Sequence, residues 1–331
     1  MVKKFVVDKP LLELNGTLGE GCVWDTRTQR LYFVDIDQYK LFTYEPSSGK
    51  YGYETFDKKV TALASLEGGE GLIAAVEDGF AYVSFDSLPF PPTFSKQSLI
   101  SIPSGVSLNS KEKRFNDGAV DPAGRFLAGT LGFEHGSKNG KMYSLQAEKD
   151  ESYSAPLILD GITCTNGMGW TEDAKIVYFT DSWIKEIAKF DYDITTGKLS
   201  NRRVFSKIEG YGEPDGMCMD SEGGIWTCRW ASGKILRLTP DGEIDVEIDF
   251  PTAWHITCCV FGGKSSTWHR VSSDAHPPLG ENLDELYVTS AASDYIGDNL
   301  PDRKNGGDLF VVKGLGIKGV ERGRFKGSIP K

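Results

Sequence analysis

The stretch RFNDGAVDPAGRFLAGT (Arg114–Thr130) decides the reading: a short run through Asn116, a turn at Asp121–Gly124, then a second β-rich run. Similar units recur along the chain. They open with EGCVWD at Glu20, TALASL at Thr61, NDGAVD at Asn116, NGMGWT at Asn166, DGMCMD at Asp215 and ITCCVF at Ile256, with starts 41, 55, 50, 49 and 41 residues apart. A second run follows in each (RLYFVD, GLIAAVE, RFLAGT, KIVYFTD, GIWTCR, ELYVTS), and then a third (KLFTYE, GFAYVSF, GKMYSL, EIAKFDY, KILRLT, DLFVV). Repeats of this length, each with three or four short strands, predict a β-propeller. Six units fill the 331 residues, so one all-β domain is expected over 1–331: a six-bladed β-propeller around a central channel. Helix-period segments with caps are absent, which argues against barrel and doubly wound α/β folds.

The last unit shows three strands. Leu11–Leu14 is expected to add the fourth beside Asp308–Val312, joining the first and last blades and hiding an edge. Residues 264–282 split that unit with polar and turn-forming residues and are expected to form a rim loop.

Composition narrows the function classes. There are 37 Lys plus Arg against 47 Asp plus Glu, a net charge of −10, with no basic run. Nucleic acid and anionic membrane surfaces are therefore not the expected partners. No stretch approaches the ~18 apolar residues of a spanning helix. The opening MVKKFVVDKPLLELNG does not read as a signal peptide. Six cysteines without a CxxC pair predict buried free thiols and a cytoplasmic location. There is no G-x-S-x-G, HExxH or Walker sequence, and the four histidines offer no recognisable triad partner. His255, at the entry to the sixth unit, reads as a structural or rim histidine, and GLGIKG (Gly314–Gly319) as a tail turn.

In a propeller the first strand of each blade lines the channel, and its leading residue projects near the mouth. Those positions carry Glu20, Thr61, Asn116, Asn166, Asp215 and the neighbourhood of His255 and Ile256. Two carboxylates and two amides converging from four blades make an oxygen-rich cage suited to Ca²⁺, Mg²⁺ or Mn²⁺, with Zn²⁺ also accepting carboxylates. The competing reading is that Asn-Asp-Gly, Asn-Gly and Asp-Gly merely form turns.

Four spaced motifs add a resemblance. RFNDGAVDPAGRFLAGT, GEGCVW (Gly19–Trp24), TNGMGW (Thr165–Trp170) and PDGMCMDSEGGIW (Pro214–Trp226) together resemble the senescence marker protein/regucalcin, gluconolactonase and luciferin-regenerating enzyme family, over about residues 12 to 315. That resemblance implies a propeller with one divalent metal in its central channel, held by Glu20, Asn166 and Asp215. Arg114 and Asn116 match the family's substrate-contacting pair, and Glu134 a substrate-contacting Glu of some members. Cys22 stands where the family usually has Pro, and the 264–282 insertion is atypical of the animal members.

The resemblance implies hydrolysis of a sugar-acid lactone. The metal would polarise the carbonyl and activate water. Asp215 is the candidate general base. Ligation to a cation lowers its basicity, so hydroxide supplied by the metal, with Asp215 orienting it, is the alternative. Arg114, a donor fork without acceptor capacity, fits substrate positioning. An organophosphate or other ester hydrolase and a non-enzymatic calcium-binding propeller are the competing functions.

Overall fold

A computed structural model describes residues 1–69, 71–85, 99–263, 283–297 and 303–327. The expected 264–282 loop lies outside the described residues. Six sheets form six blades, and the only helical elements described are short 3-10 turns at Ser182–Ile184 and Tyr295–Gly297. Their inner strands are Gly19–Asp25, Val60–Ser65, Lys113–Val120, Thr165–Trp170, Glu213–Met219 and His255–Gly262. Each inner strand packs on the inner strands of both neighbouring blades, and the circuit closes from the sixth back to the first. Further strands pair outward as an antiparallel meander. No described helix is long and apolar enough to cross a membrane.

These segments are strands because their side chains meet apolar neighbours on both faces. Gly19–Asp25 and Val60–Ser65 are buried throughout, as expected for sheets sandwiched between sheets. Tryptophans at related positions fill the gaps between blades: Trp24 stacks on Tyr287 at 5.6 Å and Trp226 meets Phe261 edge-on at 5.6 Å. All six cysteines are buried and free.

The N-terminal segment does two things. Leu12 forms a single antiparallel bridge with Leu309, and Leu11 N donates to the Leu309 carbonyl at 2.7 Å. The segment thus lies along the last blade as expected, but as one bridge rather than a full strand. Pro10 has no N–H with which to extend that ladder. Before it, Lys3–Val6 runs parallel to Ile244–Asp249 and becomes a fifth strand of blade five, a pairing with no motif to announce it. At the other terminus the tail crosses the far end of the propeller, bridging Asp220 through Gly319 and Leu66 through Phe325.

Candidate metal centre at the channel mouth

Every inner strand carries a register shift at the same place: Glu20/Val23, Val60/Ala62, Phe115/Gly118, Thr165/Met168, Pro214/Met217 and Ile256/Cys259. A bulge bends its strand and re-aims the side chains around it. Asn116, Asn166 and Asp215 lie within these shifts, and Glu20 opens its own. The Asn-Gly and Asp-Gly pairs are therefore strand irregularities rather than turns. Glycine follows because the next blade is close: a Cβ on Gly216 would stand 2.7 Å from the Thr257 carbonyl oxygen. By register the sixth equivalent position is Thr257, one beyond Ile256. Its hydroxyl donates to the Gly19 carbonyl at 2.5 Å, as the Thr61 hydroxyl does to Ala75 at 3.3 Å. Both threonines are held by strand carbonyls, leaving the carboxylates and amides of the other four blades as the distinctive donors.

Loops ahead of the inner strands are tied down by acceptors at the ends of second strands. Asp35 accepts from Thr17 N at 2.6 Å and Leu18 N at 3.2 Å, just before Glu20. Asp181 does the same for Thr163 N at 3.1 Å and Cys164 N at 3.0 Å, just before Asn166. In blade five the buried Arg229 donates to the Tyr211 carbonyl at 2.9 Å and the Gly212 carbonyl at 3.2 Å, steadying the approach to Glu213 and Asp215. Burial brings the Arg229 guanidinium down to about 10, opposed by Asp215 and Glu213.

Glu20, Asn116, Asn166 and Asp215 are all buried and, with Arg114, line one cavity of about 450 Å³. A larger cavity of about 640 Å³ lies at the opposite end, among the Asp220–Gly223 turn and the tail, and contains none of these residues. The smaller one holds the candidate chemistry. Arg114 Nη1 donates to Asn116 Oδ1 at 2.6 Å and to the Phe115 carbonyl at 2.9 Å, while Asn116 Nδ2 donates to the Thr165 carbonyl at 2.7 Å. Glu134 is exposed on the loop beyond the second strand of blade three and is not among the cavity-lining residues; its neighbours Phe133 and His135 are.

Donor chemistry tests whether a divalent cation suits the site. Asn166 Nδ2 is fixed on Ser182 Oγ at 2.8 Å, and its buried Oδ1 has no hydrogen-bond partner. Burial pushes the Glu20 carboxyl well above the usual range, and Asp215 and Asp117 push it further. Burial, Asp117 and Glu213 do the same to Asp215, against the Gly216 N–H and Arg114. An orphaned amide oxygen beside crowded buried carboxyls fits a hard dication. The described residues hold no group of three or more His, Cys, Asp or Glu arranged for a metal, because the third donor here is an amide.

Several residues escaped the sequence reading. Asp117 is buried and raised by desolvation, with Arg322 of the tail opposing. Arg322 donates to the Met217 carbonyl at 2.8 Å and the Cys259 carbonyl at 3.0 Å. Glu213 lines the cavity two residues before Asp215, on the same strand face, so period-two alternation could have found it. Asp37, Lys59, Trp183, Trp230 and Tyr295 also line the mouth, Trp230 from the end of its strand and the others from connections between strands, without a shared motif.

The chain is similar to known proteins over most of its length. The regucalcin of Oryctolagus cuniculus is 32% identical over 317 residues, covering 94% of this chain and 95% of that protein. A solved luciferin-regenerating enzyme has a TM-score of 0.79 at 29% identity, covering 97% of this chain and 99% of that one. A gluconolactonase from Xanthomonas campestris shares the fold, with a TM-score of 0.64 at 18% identity over 91% of this chain and 87% of that one. Residues 18–273 match the SMP-30/Gluconolactonase/LRE-like region, and the protein belongs to that family.

Proposed function

We propose that the protein is a metal-dependent lactonase that opens a sugar-acid lactone to the free hydroxy acid. The observation that carries this reading is the meeting of two buried, like-charged carboxyls, Glu20 and Asp215, with the unpartnered Asn166 Oδ1 at the floor of a cavity. These three residues would hold one divalent cation, of which Ca²⁺, Mg²⁺, Mn²⁺ and Zn²⁺ are the candidates. When bound, such a cation supplies Lewis-acid polarisation of the carbonyl and a lowered pKa for water.

The chain's own residues do the rest. Asn116 holds Arg114 by Nη1, so the remaining N–H groups of the guanidinium can orient the ring oxygen or a hydroxyl of the substrate. In hydrolysis the water oxygen joins the carbonyl carbon and the ring C–O bond breaks. Asp215 takes the water proton and returns it to the leaving alkoxide. The product acid ionises, so each turnover releases one proton.

A pH-indicator assay over a panel of aldonolactones tests this, using EDTA-treated protein before and after each metal is restored. Hydrolysis that disappears with EDTA and returns with one metal supports the reading. Activity indifferent to EDTA, or absent on every lactone with every metal, overturns it.

A further inference from the structure

We infer that the C-terminal tail is a working part of the metal centre: Arg322 enters the channel from the turn end as counter-cation to Asp117 and sets how tightly the centre holds its dication. This deepens the proposed function and rests on it for the metal at Glu20, Asn166 and Asp215. The tail crosses the turn end of the channel and is fastened on both sides of Arg322. Before it, the Lys318 carbonyl accepts from Ser221 N at 2.8 Å and Gly319 N donates to the Leu283 carbonyl at 2.7 Å, in blades five and six. After it, Phe325 N donates to the Ser65 carbonyl and Lys326 N to the Gly124 carbonyl, each at 2.9 Å, in blades two and three. Gly323 lies so close to blade three that a Cβ there would stand 2.7 Å from the Val120 carbonyl oxygen. Held in this way, Arg322 projects inward. Its Nη2 donates to the Met217 carbonyl at 2.8 Å and the Cys259 carbonyl at 3.0 Å. Both belong to inner strands, two residues beyond Asp215 in blade five and Thr257 in blade six. Arg322 lines the cavity at the turn end and not the one at the mouth.

The ionisable groups around the guanidinium are Cys258, Cys218, Asp117 and Cys259. The thiols bring no charge. Burial pushes Cys218 and Cys259 well up, and a hydrogen bond with Cys22, together with burial, does the same for Cys258. Asp117 is thus the acid that Arg322 answers. It is buried in the bulge of blade three beside Asn116, with Oδ1 accepting from Gly118 N at 2.7 Å. It also acts in the other direction, adding its charge to those of Glu20 and Asp215. Three buried carboxylates therefore share one channel, and a single dication balances two of them. The tail guanidinium balances the third. A positive charge fixed in the channel disfavours another nearby, so Arg322 lowers the affinity for a dication and Asp117 raises it. A guanidinium cannot be deprotonated in a protein, so the bias is permanent.

The test is calorimetric titration of the EDTA-treated full chain with Ca²⁺, Mg²⁺, Mn²⁺ and Zn²⁺ in turn. For the metal that wild type binds, Arg322→Met should tighten the dissociation constant about tenfold, and Asp117→Asn should weaken it about tenfold. Arg322→Lys keeps the charge but not the planar fork, and should stay within about threefold of wild type. Joining Arg322→Met to Asp117→Asn removes both charges, and should also return the constant to within about threefold of wild type. No tightening in Arg322→Met, or equal shifts in Arg322→Met and Arg322→Lys, would reduce Arg322 to a strut for two carbonyls and overturn the inference. If Arg322→Met alone does not fold, the double variant decides. A folded double variant with near-wild-type affinity supports the pairing; one that is unfolded, or folded with a different affinity, overturns it. A wild type that binds none of the four metals removes the metal centre and this inference with it. A wild type that binds one of them while Arg322→Met leaves the constant unchanged removes the inference alone.

Discussion

Asp215 and Asp220 lie five residues apart, one inside the inner strand of blade five and the other just beyond it, and both are buried, at 5% and 2% exposure. Their surroundings are opposite. Asp220 accepts from Glu222 N at 2.9 Å, Gly224 N at 2.8 Å, Trp226 Nε1 at 2.8 Å and Arg237 Nε at 2.6 Å. Burial alone would raise it, but Arg237, with the Gly224 and Trp226 donors, holds it below the usual carboxylate range. Asp215 has acidic neighbours and is pushed up. Blade three repeats the turn-end device, where Asp121 accepts from Arg125 Nε at 2.6 Å and from the Tyr192 hydroxyl at 2.5 Å. At the turn end of the blades the chain supplies its own cation. At the channel end Asp215 forms no ion pair among the described residues, Arg114 being bonded to Asn116 and Arg229 to backbone carbonyls, and that difference separates a structural carboxylate from a candidate ligand.

The sharpest way to break this comparison is to neutralise the channel end. Asp215→Asn and Glu20→Gln should each lower lactone turnover on the order of 10³-fold and weaken metal binding measured by calorimetry. Metal-free Asp215→Asn should melt no lower than metal-free wild type, because the replacement relieves repulsion; a fall of many degrees would mean that Asp215 is structural after all. At the turn end the opposite pattern is expected: Asp220→Ala should lose about 3 kcal/mol in urea unfolding, because it removes the shared acceptor of the buried Gly224, Trp226 and Arg237 donors and leaves Arg237 only its pairs with Glu222 and Asp245.

Asn116→Ala separates positioning from ligation. Turnover should drop about a hundredfold, as for a misplaced substrate clamp, while the metal dissociation constant stays near wild type. Acid titration then sharpens the sign. Because Asp220 is held low in the folded chain, its contribution is fully present above the ordinary aspartate value of about 3.9 and is lost as pH falls through the folded value. The stability gap between wild type and Asp220→Asn should therefore close in acid; a gap that widens would reverse the assignment. The smallest effect is expected at neither end. Removing residues 1–7 deletes the parallel pairing with blade five, and should lower the melting temperature by about 2–4 °C with turnover unchanged.

Much of this was legible before any coordinates. The six spaced openings carried the blade count, because each unit must bury both faces and can do so only against a copy of itself. Glu20, Asn116, Asn166 and Asp215 could be aligned because the bulge recurs at the same place in every inner strand. Glu134 was legible only by resemblance; it is exposed, between Phe133 and His135, which line the cavity. The rim pairing of Asp37 with Tyr295 joins residues 258 apart, and no local pattern announces it.

The amino-acid sequence alone determined the repeat, the all-β class and which side chains stand at the head of each inner strand, since these depend on local period and turn chemistry. Tertiary structure alone decided what those side chains experience. Asp215 and Asp220 each sit in a short polar and glycine-rich context, as DG and DSEGG, and nothing local tells them apart. Arg237 reaches one from a different strand of the same blade, while Asp117, two blades away along the chain, reaches the other. The field at a buried carboxylate is a sum over groups distant in sequence, so it exists only once the ring has closed.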